Sequence, residues 1–359
     1  MSRKPDRRLR RGWTTGACAT AAVRGAWEAL LTGAFPKTVR ISLPRGDSPV
    51  FELVETRFDG DSATAGVVKD AGDDPDVTHG ATILATLRRG DSGTGVTFRA
   101  GAGVGTVTMP GLPVAIGEPA VNPAPRAMME AAVAELAAAH HVARDAEITL
   151  SIPGGEAIAA QTWNPRLGIV GGLSILGTTG IVVPYSCSAW IQSIRSGIDV
   201  ARARGLTHVA AATGNTSERA VAALHRLDET AIIDMGDFVG GMLKYLRDHP
   251  IPCVTIAGGF AKMVKLAQGH GDLHSSRSQV DFGMLADWVG ELGADPQTVD
   301  AVRHANTAAQ VLDLAGEWPL PALVARRARA VGLAMLAGGI ALEVVVVDRA
   351  GRIAARSPE

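Results

Sequence analysis

The chain opens with an alanine-rich run, Gly16 to Leu31, that predicts a helix. Thr14 or Thr15 can cap its start, and Gly33 can end it. The small residues Ala17, Ala19, Ala21 and Ala22 leave room for another backbone to approach. From Val39 to Val107 the pattern changes to short strands: Val39 to Leu43 alternates, as does Thr94 to Arg99. Gly101-Ala102-Gly103 then predicts a hairpin leading into Val104–Thr108. Asn122-Pro123 opens a second helix, expected from Pro125 to His140, and Ala146 to Ile152 reads as a strand. Helices and strands mix here without regular alternation, which predicts an α+β domain.

The second half alternates. Trp190, Ile191, Ile194, Ile198 and Ala201 share one helical face, which Gly205 can terminate. Strand Thr207–Ala212 leads to helix Ser217–Leu227, strand Ala231–Met235 to helix Phe238–Arg247, and strand Val254–Ala257 to helix Phe260–Gln268. Two more helical segments precede a final strand, Ala341 to Val347. Apolar strands alternating with helices predict an α/β domain, its small parallel sheet covered on both faces. The boundary is placed near residue 190, giving domains 1–189 and 190–359.

Composition narrows the function classes. The 359 residues are 47% hydrophobic but only 4% aromatic, with 42 glycines and a formal charge of −1. No global field steers this chain to nucleic acid or an anionic membrane, and stacking platforms are scarce. The apolar stretch Ala330 to Leu342 is short for a membrane span and contains Gly338-Gly339, so it is expected to be buried core. Cys18, Cys187 and Cys253 form no C-x-x-C pair, so neither a disulfide framework nor a zinc site is expected and a reducing cytoplasm fits. The basic Met1–Arg11 arm lacks the apolar core of a signal peptide.

Candidate chemistry gathers in several places. Thr14-Thr15-Gly16 offers hydroxyls and N–H groups at a helix start, an anion-binding geometry that plain capping also explains. Asp70, Asp73, Asp74, Asp76 and His79 crowd one loop, where turn chemistry competes with acid–base work. Two Gly-rich loops, Gly168–Gly172 and Gly177-Thr178-Thr179-Gly180, match no phosphate-loop pattern. Gly214-Asn215 with Glu218 follows a strand; it resembles a capping box but lies where open α/β sheets bind ligands. Gly258-Gly259, also after a strand, precedes Lys262 and Lys265, either a solvated face or cations for a carboxylate. His270 and His274 are four apart, but Gly269 and Gly271 argue against the continuous helix a metal pair would need.

In order, these stretches resemble the cobalt-precorrin-5B C(1)-methyltransferase family, also called CbiD, over residues 10–285. The resemblance is carried by Gly12-Trp13-Thr14-Thr15-Gly16-Ala17-Cys18-Ala19, Asp73-Asp74-Pro75-Asp76-Val77-Thr78-His79-Gly80 and Gly103-Val104-Gly105-Thr106-Val107-Thr108. Gly117–Pro123, Asn164–Gly172, Ser174–Gly180, Gly214-Asn215 and Lys262–Ala267 continue it. It implies methyl transfer from S-adenosylmethionine to C-1 of a cobalt-corrin precursor, in a two-part α+β and α/β fold. Asp74, Asp76 and His79 are then expected at the reaction centre. Thr14, Thr15, Arg166, Thr178, Thr179, Lys262 and Lys265, with Lys69 and Arg126, are expected to hold the macrocycle's carboxylate rim. The first domain would carry the macrocycle.

The methyl donor is expected at the carboxyl ends of the second domain's strands, against Gly214, Asn215, Glu218, Asp237, Gly258 and Gly259. No resident metal, nucleic acid or membrane partner is expected, and self-association into a homo-oligomer is left open. Two other readings compete: a nucleotide-dependent kinase or ligase, against which the missing phosphate-loop lysine counts, and a non-catalytic tetrapyrrole carrier.

Overall fold

Thr14 turns the backbone into the first helix, α1 (Thr15–Thr32). Its hydroxyl accepts the Ala17 N–H at 3.2 Å, and Gly33, at φ +82°, ends the helix by donating to the Ala29 carbonyl. A computed structural model describes residues 9–358. The chain divides into two compact units, one ending at Cys187 and the other beginning at Ser188.

The first unit is α+β. Strands β1 (Val54–Asp59), β2 (Ser62–Val68), β3 (Thr82–Arg89), β4 (Val96–Ala100) and β5 (Ala146–Ser151) form a sheet in the order β1-β2-β3-β5-β4. All neighbours are antiparallel except β5 and β4. Alternate residues face one way: Ala63, Ala65 and Val67, then Ile83, Ala85 and Leu87, then Ile148 and Leu150. This face shares a core with the small residues of α1 and with Met129 and Val133 of α2 (Pro123–Ala139). The alanines let α1 lie close to the sheet; truncating Leu87 or Leu150 to Ala would cost roughly 2–5 kcal/mol.

The second unit is α/β. It runs α3 (Cys187–Ala203), β6 (His208–Ala212), α4 (Asn215–His225), β7 (Ile232–Asp234), α5 (Val239–Asp248), β8 (Cys253–Gly259) and α6 (Phe260–Ala267). Then come α7 (Phe282–Glu291), α8 (Pro296–Arg303), α9 (Ala308–Ala315), α10 (Leu320–Leu336), β9 (Ala341–Val347) and β10 (Ile353–Ser357). The sheet order is β7-β6-β8-β9-β10, parallel except for the last pair. Val209, Ala211, Val254, Ile256, Val344 and Val346 face the larger core with α3, α5, α6 and α10. Ala210, Ala257, Val345 and Val347 face the other way, against Val221 of α4. Both faces are therefore covered, which is why these strands read as continuous apolar runs.

Four sequence expectations need correction. Val104–Thr108 is not an arm of a hairpin with the preceding strand. Gly103–Val104 pairs parallel to Gly172–Leu173, and Thr106–Val107 pairs antiparallel to Ile169–Val170. Gly103 has φ +74°, and a Cβ there would lie 1.9 Å from the Ile152 carbonyl oxygen, so close backbone approach redirects the chain. Four helices, not two, lie between α6 and β9, because Gly293, Pro296, Gly316 and Pro319 interrupt the apolar pattern. The segment 330–342 is not uniform core: α10 ends at Leu336, and Ala337, Gly338 and Gly339 form an exposed turn at positive φ. The strand expected to be last, β9, is followed by one more, the edge strand β10, whose Ile-Ala-Ala-Arg-Ser carries no clear alternation.

Candidate active site

In the first unit three segments meet. The strand Gly12–Trp13 pairs antiparallel with Ile181–Val182, the Trp13 N–H donates to Asp70 O at 2.7 Å, and the Thr14 N–H donates to Gly180 O at 3.0 Å. The start of α1, the acidic loop 70–80 and the Gly-rich loop 174–180 are thereby joined. The start of α1 was expected to present free N–H groups. Two of them are already taken: Ala17 N–H by Thr14, and Gly16 N–H by the Leu176 carbonyl at 3.1 Å. Gly177, at φ +123°, lies so close that a Cβ would be 2.5 Å from the Thr14 hydroxyl oxygen. Thr15 is buried, Thr178 is exposed, and Thr179 bonds within its own turn to Ile181.

The acidic loop is held from several sides. Arg10 forks onto both oxygens of Asp70, and this bond holds the Asp70 carboxyl down at about 2. The Arg10 N–H donates to Asp73 at 2.8 Å, and the Tyr185 N–H donates to Asp74 at 2.8 Å. Asp76 accepts from the buried Lys69 ammonium and from the Thr78 N–H at 2.8 Å. Burial pushes the Asp76 carboxyl up, but Lys69 and Thr78 together outweigh it and hold it below the ordinary carboxylate range. His79 differs. Its ring is 53% exposed, and Nδ1 accepts the Ala71 N–H at 3.1 Å, so the neutral ring carries its proton on Nε2. Exposed apolar side chains lie on the acidic loop, Val77, and on the Gly-rich loop and the residues after it, Leu176, Val183 and Tyr185.

The cations expected to grip a carboxylate rim are mostly engaged. Lys69 is only 3% exposed. Arg126 donates to the carbonyls of Val121 and Pro119, pairs with Glu118 at 3.1 Å and lies over the Phe98 ring. Arg166 sits half-buried on a 3-10 turn, Pro165–Leu167, and has a partner. Next to it Asn164, buried, donates to Gly172 O and accepts from the Ser174 hydroxyl, clasping the two Gly-rich stretches. Sequence reasoning missed Arg10 and Tyr185; no motif signals them, because their partners lie 60 and 111 residues away.

In the second unit, the loops after β7, β6 and β8 lie at the carboxyl ends of neighbouring strands. Asn215 is not a cap: Gly214 holds that position, and the Ser217 hydroxyl bonds back to Gly214 O. The expected capping box is absent, since Asn215 is already the first helical residue and is exposed, and Glu218 is half-buried with a partner. Gly258 is glycine for packing; a Cβ there would meet Met263 at 2.6 Å. Gly259 is different. It has ordinary φ −65° and ψ 152°, and a Cβ would find no atom within 4 Å. Gly214 likewise faces open space. Asp237, 14% exposed, pairs with Lys262 at 3.0 Å, and Lys262 also donates to Thr213 O at 3.0 Å. Lys265 is buried and donates to Leu273 O at 2.9 Å; burial lowers it from the ordinary lysine value. Both ammoniums, expected to reach outward to a substrate, are bonded within the unit. The segment holding His270 and His274 is not helical, and His274 Nδ1 lies 2.7 Å from the Ser276 hydroxyl.

The family model CbiD matches residues 2–184, and the model of the CbiD C-terminal domain matches residues 272–358. The chain is 62% identical over 349 residues to the cobalt-precorrin-5B C(1)-methyltransferase of Paramagnetospirillum magneticum, covering 97% of this chain and 98% of that protein. It is 59% identical over 350 residues to the protein of the same name from Rhodospirillum rubrum, covering 97% of each. A crystal structure of the cobalamin biosynthesis protein CbiD from Archaeoglobus fulgidus aligns with 75% of this chain and 83% of that one, at 26% identity and a TM-score of 0.41.

Proposed function

The chain belongs to the CbiD family, and from that premise we propose that it methylates C-1 of cobalt-precorrin-5B to give cobalt-precorrin-6A in cobalamin biosynthesis. The observation that carries this reading is the 62% identity, over nearly the whole of both chains, to a relative of that name. The methyl donor is S-adenosylmethionine; when bound, it supplies a methyl group on a sulfonium, whose sulfur keeps the electron pair of the broken bond. The electron-rich ring carbon is the nucleophile, so the protein has to align two partners and exclude water rather than supply a nucleophile of its own.

The first unit takes the macrocycle. Its exposed Val77, Leu176, Val183 and Tyr185 suit an apolar ring face, and Thr178 and the half-buried Arg166 suit its carboxylates. His79, half exposed and bonded to the loop through Nδ1, handles through Nε2 the proton that moves as the ring system rearranges. Asp76 and Asp74 serve this site by holding the loop that carries His79. The second unit takes the donor at its strand ends. Gly214 and Gly259 leave open space there, while Asp237 and Glu218 offer acceptors for ribose hydroxyls and Asn215 a partner for the amino-acid end. These residues fit a nucleoside with a charged amino-acid tail. The cysteines are unpaired, which suits the cytoplasm as the proposed location. No helix among the described residues is long and apolar enough to cross a membrane.

Incubating the purified protein with cobalt-precorrin-5B and S-adenosylmethionine should add one methyl group to the macrocycle by mass spectrometry. Binding of the macrocycle without methylation would instead identify a carrier. A thermal shift with ATP and none with S-adenosylmethionine would identify a nucleotide-dependent enzyme.

A further inference from the structure

Lys262 is the third residue of α6, the helix that follows β8. A cation in the first turn of a helix opposes the helix dipole, and no side chain caps α6 to offset it. The placement makes sense through what the ammonium touches. It donates to the carbonyl of Thr213, in the loop after β6, and pairs with Asp237, in the loop after β7, each at 3.0 Å. One ammonium therefore links the carboxyl-end loops of three adjacent strands. Its anchor is firm, because the Thr213 N–H donates to Ala257 O and continues the β6–β8 pairing. Asp237 Oδ1 is buried and takes no aligned hydrogen bond, so the ion pair is what the structure provides for that atom. From the other side, Asp237 O accepts the Leu273 N–H at 2.9 Å, and Leu273 O accepts from buried Lys265. Asp237 is thus held at its backbone through Leu273 and Lys265 and at its carboxylate by Lys262.

We propose that Lys262 is a positioning residue for the methyl donor: it fixes Asp237 and the three strand-end loops in the arrangement the donor's nucleoside end requires, and it does not grip the macrocycle. This rests on the reading that those loops receive the donor. Calorimetric titration with S-adenosylhomocysteine tests it on the full chain. Lys262→Met should weaken binding at least tenfold, and Lys262→Arg, which can still bridge both acceptors, should recover most of the loss. Adding Asp237→Asn to Lys262→Met should cost little more than the worse single change, because the two act as one unit. Affinity for the macrocycle, measured on the same variants, should stay at the wild-type level. If methionine prevents folding, Lys262→Gln carries the same comparison. Wild-type donor affinity in the Met or Gln variant overturns the proposal, as does a loss confined to macrocycle affinity. Failure of the reading beneath it looks different: the wild-type protein binds the macrocycle but no S-adenosylhomocysteine, or binds it equally well with Gly259→Val.

Discussion

His225 Nε2 lies 2.6 Å from Glu343 Oε2, toward the amino-terminal end of the parallel sheet and away from the strand-end loops. Glu343, almost fully buried, also pairs with Arg356 at 2.8 Å and accepts the Thr255 hydroxyl at 2.7 Å. His208 completes the group: its Nε2 is 2.8 Å from the Thr255 hydroxyl, and its ring meets that of His225 edge to face.

This network sets an acid limit on stability. Burial pushes His208 below the ordinary histidine value; His225 pushes it the same way, and Glu343 opposes both. The unfolded chain takes up a proton at about pH 6.5, whereas the folded chain resists until lower pH. Stability is therefore full above about 6.5 and falls as the pH drops through that value toward the lowered one. Thermal unfolding at a series of pH values from 8 to 5 should show this slope, and His208→Gln should flatten it. An equal slope in the variant would remove His208 from the account.

Asp76→Ala should destabilise the first unit by roughly 2–4 kcal/mol, because it leaves the buried Lys69 ammonium without a counter-charge and with only the Thr78 hydroxyl to bond. The cost is smaller than that of breaking a fully buried pair, since Asp76 keeps about a fifth of its side chain in water. Urea denaturation measures it. A change under 0.5 kcal/mol, about the size of an ordinary surface substitution, would mean Lys69 finds another partner.

His79→Asn should keep the loop folded, because the amide oxygen can still accept the Ala71 N–H. Turnover should fall at least tenfold with the macrocycle still bound. A variant as active as the wild type would reduce His79 to a clip within the loop.

Gly259→Ala separates folding from donor binding. The backbone there suits any residue and a Cβ meets nothing, so stability should hold or rise by about 0.4–1 kcal/mol through a less mobile unfolded chain. Donor affinity should fall in the same variant, and further in Gly259→Val. The paired readout is a melting temperature and a titration with S-adenosylhomocysteine; unchanged affinity in both variants would move the donor elsewhere.

Much of the local structure was legible. The cap at Thr14, the stop at Gly33 and the alternation of strands with helices from β6 to α6 are written in short-range signals, and the structure repeats them within a few residues. The hairpin expected around Gly103 was not legible correctly. Glycine announces close approach, but not to which backbone, and the partner proved to be the chain near Ile152 and Gly172.

The site divides along the same line. The order of its motifs is a property of the sequence alone, and it is enough to assign the family, because many modest matches in fixed order are jointly specific. What each charged residue does is not. Lys69, Lys262 and Lys265 looked alike as rim-holding cations, yet Lys69 lies beneath the acidic loop, Lys262 bridges strand-end loops, and Lys265 is buried against Leu273. Periodicity reports only on neighbours about four residues apart. The contacts that decide these roles join Lys262 to a residue 49 positions away and His225 to one 118 away. Whether an ammonium faces water or a buried carboxylate is settled only when the sheet brings such partners together.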